Sequence, residues 1–199
     1  GDAHDSGWMS TNNCISGTCL KFDGVNDYIG VPDSTSLTLG NAITVSTWVK
    51  PISFPTHTSD QHRIAYRFLY PTNGWYLRIA NNGYITFSTY DGSGHNAYGP
   101  GPINVGKWYN IIGISNGTNN VVYINSISGT PGTSGTLVNS TLSLRINNAD
   151  TSDYSLNGII DDVRIYNQAL SASQIEQNYF LGLNKLYKND GITLNEFNQ

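Results

Sequence analysis

The stretch Ile159-Ile160-Asp161-Asp162-Val163-Arg164-Ile165-Tyr166, read together with Phe22-Asp23-Gly24-Val25-Asn26-Asp27-Tyr28, decides the fold of this 199-residue chain. Each segment sets carboxylate or amide oxygens beside residues that favour strands, which is what a sheet edge needs to hold a hard cation. If the two meet in space, they form one site.

Working outward from them, short blocks of alternating apolar and polar residues recur between Gly, Asn and Pro turns, the signature of antiparallel strands with one wet face. Ten strands are predicted: 18–22, 27–31, 43–50, 63–69, 75–80, 84–89, 108–115, 120–124, 142–146 and 158–166. Asn73-Gly74, Asn82-Gly83 and Asn116-Gly117 supply the positive φ values of tight hairpins, and the best hairpin runs from Trp108 to Asn125. The stretches 51–60, 91–102 and 127–141 read as surface loops, the last alternatively as a ragged edge strand. A chain of this length with this pattern makes one sandwich, expected over residues 1–170.

The pattern changes after Tyr166. Ser171 is a helix cap, and Ile175, Tyr179, Leu183 and Leu186 share one helical face, so residues 171–199 are expected to form a helical tail. Asn189-Asp190-Gly191 breaks that helix, and Thr193 with Glu196 resembles the capping box of another.

Composition excludes several functions. A net charge of −4 with no Lys or Arg cluster removes the electrostatic basis for nucleic-acid binding. No apolar run is long enough to span a bilayer. Cys14 and Cys19 enclose Ile15-Ser16-Gly17-Thr18, and Ser-Gly is good chemistry for a turn between two strand ends. The flanking Asn and Gly do not look like core, so a disulfide is preferred to two free thiols, and with it an extracellular or cell-surface setting.

Four pieces carry a family resemblance: Leu20 to Ile29, Ile43 to Pro51, Gly106-Lys107-Trp108-Tyr109, and Gly158 to Ser171. In this order they make the chain resemble the laminin-G-like, concanavalin A-like jelly-roll family, the lectin/glucanase superfamily, of bacterial or archaeal surface proteins. The resemblance implies an all-β fold: two antiparallel sheets in a jelly-roll sandwich, here with a short C-terminal helix. It also implies a structural Ca²⁺, with Asp161 as first ligand and Asp23 and Asn26 as further ones. An ion pair between Asp161 or Asp162 and Arg164, or turn hydrogen bonding at Asp23, Asn26 and Asp27, is the alternative. The strand that the family places ahead of Asp5-Ser6-Gly7 is missing, so the chain reads as a fragment or as a sandwich with an open edge. The tail from Gln177 to Phe197 is similar to endings of pilin-like surface proteins.

The glucanases of this fold use two close glutamates on one strand, whereas this chain has only Glu176 and Glu196, both in the tail. His57, His62 and His95 adjoin no nucleophile, so no catalysis is expected. Aromatic, amide and carboxylate groups suited to a sugar are densest between Tyr66 and Tyr98. Tyr90, Asp91, His95, Tyr98, Tyr66 and Trp75 are the ligand candidates, and Trp48 and Trp108 are assigned to the core. The expected partner is a glycan or another surface polymer, with a protein partner through residues 171–199 as the alternative.

Overall fold

The computed structural model describes residues 2–4, 7–54, 61–69, 72–137, 141–147 and 155–190. Fifteen strands are found among them: β1 Asp2–His4, β2 Gly7–Met9, β3 Cys19–Asp23, β4 Tyr28–Val31, β5 Ile43–Pro51, β6 Gln61–Leu69, β7 Asn73–Ala80, β8 Ile85–Tyr90, β9 Gly94–Tyr98, β10 Tyr109–Ser115, β11 Asn119–Ile124, β12 Ile127–Ser128, β13 Gly132–Thr133, β14 Leu144–Ile146 and β15 Asn157–Tyr166. One helix, α1, spans Ala172–Asp190. A seven-stranded front sheet has the order β1-β4-β14-β6-β7-β8-β9. The back sheet has the order β12-β11-β10-β5-β15-β3-β2, with β13 also on β11. The fold class expected from the sequence is therefore the one observed, and all ten predicted strands are present within a few residues of their expected ends.

Period-two alternation builds the core. Ile29, Ile146, Ala65, Leu77, Phe87 and Ala97 are successive cross-strand partners on the inner side of the front sheet. They meet Phe22, Val45, Val49, Ile111, Val122 and Ile160 from the back sheet in one apolar cluster. Each fully buried Ile, Leu or Phe contributes on the order of 2 kcal/mol. Asn120 crosses between the sheets: its Nδ2 donates to Thr89 Oγ1 at 2.9 Å and to the His95 carbonyl at 2.8 Å.

The back sheet is covered on both sides, which explains the unbroken apolar run Ile111-Ile112-Gly113-Ile114. Ile112 and Ile114 face outward and pack with Leu170 and Ile175. Trp48 does the same on β5, lying with Ile159, Leu183 and Leu186, and its ring stacks on Tyr179 at 5.8 Å. Both Trp48 and Trp108 are buried as expected, but under the helix rather than between the sheets. The helix begins in a capping box: Ser171 Oγ accepts from Gln174 N–H at 3.3 Å, and Gln174 Oε1 accepts from Ser171 N–H at 2.9 Å. The predicted face of Ile175, Tyr179, Leu183 and Leu186 is the one that docks.

Three expectations need correction or fall away. The stretch 91–102 is not wholly loop, because Gly94–Tyr98 forms β9 at the edge of the front sheet. Nor is the first strand at residue 18, since β1 pairs with β4 and β2 with β3. Both were missed because three residues are too few for a period to register. The second helix proposed from Thr193 and Glu196 lies outside the described residues.

Candidate functional site

On the outer face of the front sheet Tyr66, Tyr76, Thr86 and Ser88 are buried, Arg63, Phe68, Arg78, Tyr90, Asn96 and Arg145 are half-buried, and Tyr98 is exposed. The same alternation that sends Leu77 and Phe87 inward sends their neighbours outward. One outward row runs Gly30, Arg145, Tyr66, Tyr76, Ser88, Asn96 across six paired strands. A second runs Arg63, Arg78, Thr86, Tyr98, and a third Phe68, Gly74, Tyr90, Gly94. Register thus gathers residues from as far apart in the chain as Gly30 and Arg145 onto a single surface.

The aromatic members touch. Phe68 meets Tyr90 edge-on at 4.7 Å and Tyr76 at 5.4 Å, and Tyr76 lies 5.9 Å from Tyr90. Guanidinium groups rest on the rings, Arg63 over Tyr66 at 4.9 Å, Arg78 over Tyr76 at 5.1 Å and Arg145 over Tyr28 at 5.3 Å. Arg145 Nη1 also donates to the Tyr66 hydroxyl at 3.4 Å. Ser88 Oγ donates to Asn96 Oδ1, so hydroxyl and amide sit next to the rings. At one end of the face Tyr66, Phe68, Leu69, Leu142, Ser143 and Arg145 line a cleft of about 290 Å³.

Of the six ligand candidates, Tyr66, Tyr90 and Tyr98 are on this face; Tyr98 is 48% exposed and Tyr90 half-buried, whereas Tyr66 is only 5% exposed. Trp75 is not: it pairs with Arg67 and Thr89, points inward and is 2% exposed, so it is core. Asp91 and His95 are at the end of the sheet instead. His95 Nε2 lies 3.0 Å from Asp91 Oδ1, and Asp91 Oδ2 accepts from Thr136 N–H at 2.9 Å. The Thr136 N–H, followed by His95, holds the Asp91 carboxyl below its ordinary range. This pair ties β9 to the 130–137 loop rather than joining the outer face of the front sheet.

The three calcium candidates are not brought together. Strands β3 and β15 do pair, but Asp23 lies opposite Asn157 and Asp161 opposite Trp48. Four residues along a strand separate them by about 13 Å. Asp161 is buried and surrounded by donors: its Oδ2 accepts from Ile15 N–H at 2.7 Å and Ser16 N–H at 2.9 Å, and its Oδ1 from Asp162 N–H at 2.7 Å. A hard cation needs oxygens at such a point, not N–H groups, so this set does not fit a shared ion. Asp23 Oδ1 caps a turn by accepting from Val25 N–H, and Asn26 is exposed. The expected disulfide joins Cys14 and Cys19. Their sulfurs lie close to the Asp161 carboxylate, but, bonded to one another, they offer no thiolate. Asp162 pairs with Arg164 in a two-bond fork at 2.8 and 2.9 Å, at a bulge where Asp162 has φ +50°.

The sequence model of the concanavalin A-like lectin/glucanases superfamily matches residues 23–176. The chain belongs to that superfamily. No curated protein matches it in sequence. Among solved structures, the binding domain of Paraclostridial Mosquitocidal Protein 1 has a TM-score of 0.75 at 13% identity, over 90% of this chain and 46% of that one. The botulinum neurotoxin serotype G binding domain has a TM-score of 0.72 at 14% identity, over 91% and 46%. Domain 4 of AbnA, an extracellular arabinanase of Geobacillus stearothermophilus solved with arabinotriose, has a TM-score of 0.66 at 22% identity, over 87% and 81%. The chain therefore spans about half the length of the two toxin domains, and the likeness at these identities is one of fold.

For this member of the superfamily, the sequence reading missed Tyr28, Arg63, Phe68, Arg78 and Arg145 as members of the outer face. Parity was the available signal: Phe68 shares Tyr66's, and Arg78 shares Tyr76's. Arg63 escapes it, because a register shift between Arg63 and Ala65 resets the count.

Proposed function

We propose that this chain is a non-catalytic, extracellular recognition module that binds glycans across the outer face of the front sheet, as part of a cell-surface or appendage protein. The observation that carries the reading is the Phe68, Tyr76 and Tyr90 cluster beside Ser88 and Asn96 on the outer side of the front sheet, with Tyr98 exposed on the same face. Ring faces offer flat apolar surface to the C–H face of a sugar, and hydroxyl and amide groups pair with its hydroxyls. The arabinotriose held by the AbnA domain supports a sugar as ligand of this fold. Glu176, the only glutamate among the described residues, is an exposed residue of α1, far in kind from a catalytic pair.

The test is a glycan array followed by titration calorimetry on the best hit. Tyr90→Ala and Tyr98→Ala should each weaken binding at least about tenfold, the loss of one well-placed aromatic contact, while Tyr109→Ala on the back sheet should not. Binding by the wild type that is indifferent to both front-face variants would move the site elsewhere.

A second reading has its own observation. Phe180 and Leu181 on α1 are 48% and 53% exposed, an apolar pair of the kind that docks on a protein. An empty array, together with self-association abolished by Phe180→Asp and Leu181→Asp, would establish the tail as an assembly surface instead.

A further inference from the structure

We propose that a cleft at the rim of the sandwich, between the β10–β11 turn, the loop before β5 and the segment 134–137, is a second binding site, for an uncharged sugar unit of a glycan; the inference rests on the reading of the chain as a glycan-binding module and adds residues that reading does not use. Asn41, Asn116, Thr118, Gly135, Thr136 and Leu137 line this cleft of about 380 Å³, which is larger than the one beside Tyr66 and within the range of small-ligand sites. The first observation is that its walls are held in place. Asn116 Oδ1 accepts from the N–H groups of Thr118 at 2.9 Å and Asn119 at 2.8 Å, which fixes the β10–β11 turn. The Thr118 carbonyl accepts from Ser134 N–H at 2.9 Å, Thr89 Oγ1 from Gly135 N–H at 2.8 Å, and Asp91 Oδ2 from Thr136 N–H at 2.9 Å. A Cβ at Gly117, where φ is +84°, would stand 2.8 Å from the Asn41 carbonyl oxygen, and one at Gly135 would stand 2.6 Å from the His95 ring, so each loop sits directly on its support. Walls fixed before binding lose little conformational freedom when the cleft is filled.

The second observation is the set of polar groups left over. With Asn116 Oδ1 turned back onto its own turn, Nδ2 is the group that remains to donate. That Nδ2, the Asn41 amide and the hydroxyls of Thr118 and Thr136 have no hydrogen-bond partner among the described residues, and all four residues are exposed. Amides and hydroxyls both donate and accept, as sugar hydroxyls do, while half-buried Leu137 offers apolar surface to the C–H groups of a ring.

The third is the absence of charge. Among the described residues that line the cleft there is no Asp, Glu, Lys, Arg or His. The acid that adjoins it, Asp91, has one oxygen on the Thr136 N–H and the other beside His95 Nε2. A charged group would enter without a counter-charge, and a hard cation would find no carboxylate among these lining residues, so the lining selects a neutral, hydroxyl-bearing ligand. Tyr90 directly precedes Asp91, which places the cleft at the end of β8 that also carries a ligand candidate of the sheet face.

The experiment titrates the protein with four neutral trisaccharides, arabinotriose, cellotriose, maltotriose and chitotriose, and with trigalacturonate as the charged counterpart, and follows assigned backbone amides by NMR. At least one neutral trisaccharide should shift the Gly117, Thr118 and Thr136 amides saturably, and trigalacturonate should bind there no more tightly. Asn41→Ala and Thr118→Val, which remove side-chain groups that bond to no described residue, should each weaken that binding about fivefold, the scale of one neutral hydrogen bond. Gln177→Ala, at an exposed position of α1, should leave it intact. The same spectra show whether each variant keeps the fold. Shifts confined to the amides of Ser88, Tyr90 and Tyr98 overturn the rim site and leave the sheet-face reading standing, whereas shifts at the rim alone support the rim site and remove the face. Tighter binding of trigalacturonate at the rim, equal loss in Gln177→Ala, or silence of the rim amides with all four neutral trisaccharides overturns the proposal, and the array then decides the sheet face separately.

Discussion

The carboxylate of Asp161 accepts the backbone N–H of Ile15 at 2.7 Å, across 146 positions of sequence. Ile15 is wholly buried inside the loop closed by Cys14 and Cys19, and the adjoining Ser16 hydroxyl accepts from Lys185 Nζ at 3.1 Å. One short loop therefore fastens together the last strand, the first long strand and the helix. Its backbone donors have one acceptor side chain between them, which makes Asp161 an organising residue of the N-terminal quarter.

Removing that acceptor strands three N–H groups. Asp161→Ala is expected to lose about 2 kcal/mol, the usual penalty for leaving buried donors unsatisfied. Urea unfolding checks it, and a variant as stable as wild type would show that water replaces the carboxylate without penalty.

The pH dependence follows from burial, which raises the Asp161 pKa above its ordinary 3.8 against the opposing hydrogen bonds. A folded-state value above the unfolded one means that the folded protein holds the proton longer. The group's contribution is complete below the unfolded pKa and is lost as pH rises through the folded one. Asp91 has the opposite sign: its lowered pKa contributes stability above 3.8 that disappears on acidification. Asp161→Asn should accordingly flatten the decline toward neutral pH, and Asp91→Asn the decline toward acid. Denaturation midpoints from pH 3 to 7, roughly the range over which the two carboxylates titrate, will show whether the two variants act on opposite limbs.

The disulfide closes a small ring. In the chain-entropy account, a loop of this length is worth about 2 kcal/mol. The double Cys14→Ser, Cys19→Ser variant should lose that much, and should combine with Asp161→Ala for less than the sum of the separate losses, because both act on one loop. Strict additivity would mean that the loop stays in place without its bridge.

Gly182 lies inside α1, where Ala is ordinarily better by about 1 kcal/mol. Here a Cβ would stand 2.5 Å from Trp48 Nε1. Gly182→Ala should destabilise the protein by about 1–3 kcal/mol through overpacking and disturb the Trp48–Tyr179 stack. A rise in melting temperature would mean that the helix slides to make room.

Calcium provides a further check. With Asp161 facing N–H donors and Asp23 about 13 Å along the sheet, chelation should leave the melting temperature unchanged. A fall on chelation that Asp161→Ala abolishes would restore the ion.

Strand-forming blocks such as Ile43 to Lys50 were readable because nine residues of a back-sheet strand carry their pattern unaided. Strands β1, β2 and β9 were not, since their residues are fixed by long-range partners: Asp2–His4 has nothing to recommend it locally except β4. The outer face of the front sheet was half legible. Tyr66, Tyr90 and Tyr98 could be named from residue type, but Trp75 has the same chemistry and the opposite direction, and only register against Leu77 tells them apart. Asp161 was singled out by chemistry, yet its partners Ile15 and Ser16 are backbone groups that no side-chain motif announces.

The placement of the tryptophans has an optical consequence. Trp48 and Trp108 are beneath the helix, Trp75 is inside the sandwich, and Trp8 is 67% exposed on β2 at the edge of the back sheet. None stands on the outward rows of the front sheet, whose rings are tyrosine and phenylalanine. Indole emission will therefore report unfolding of the helix and core faithfully and remain nearly silent when that face is occupied.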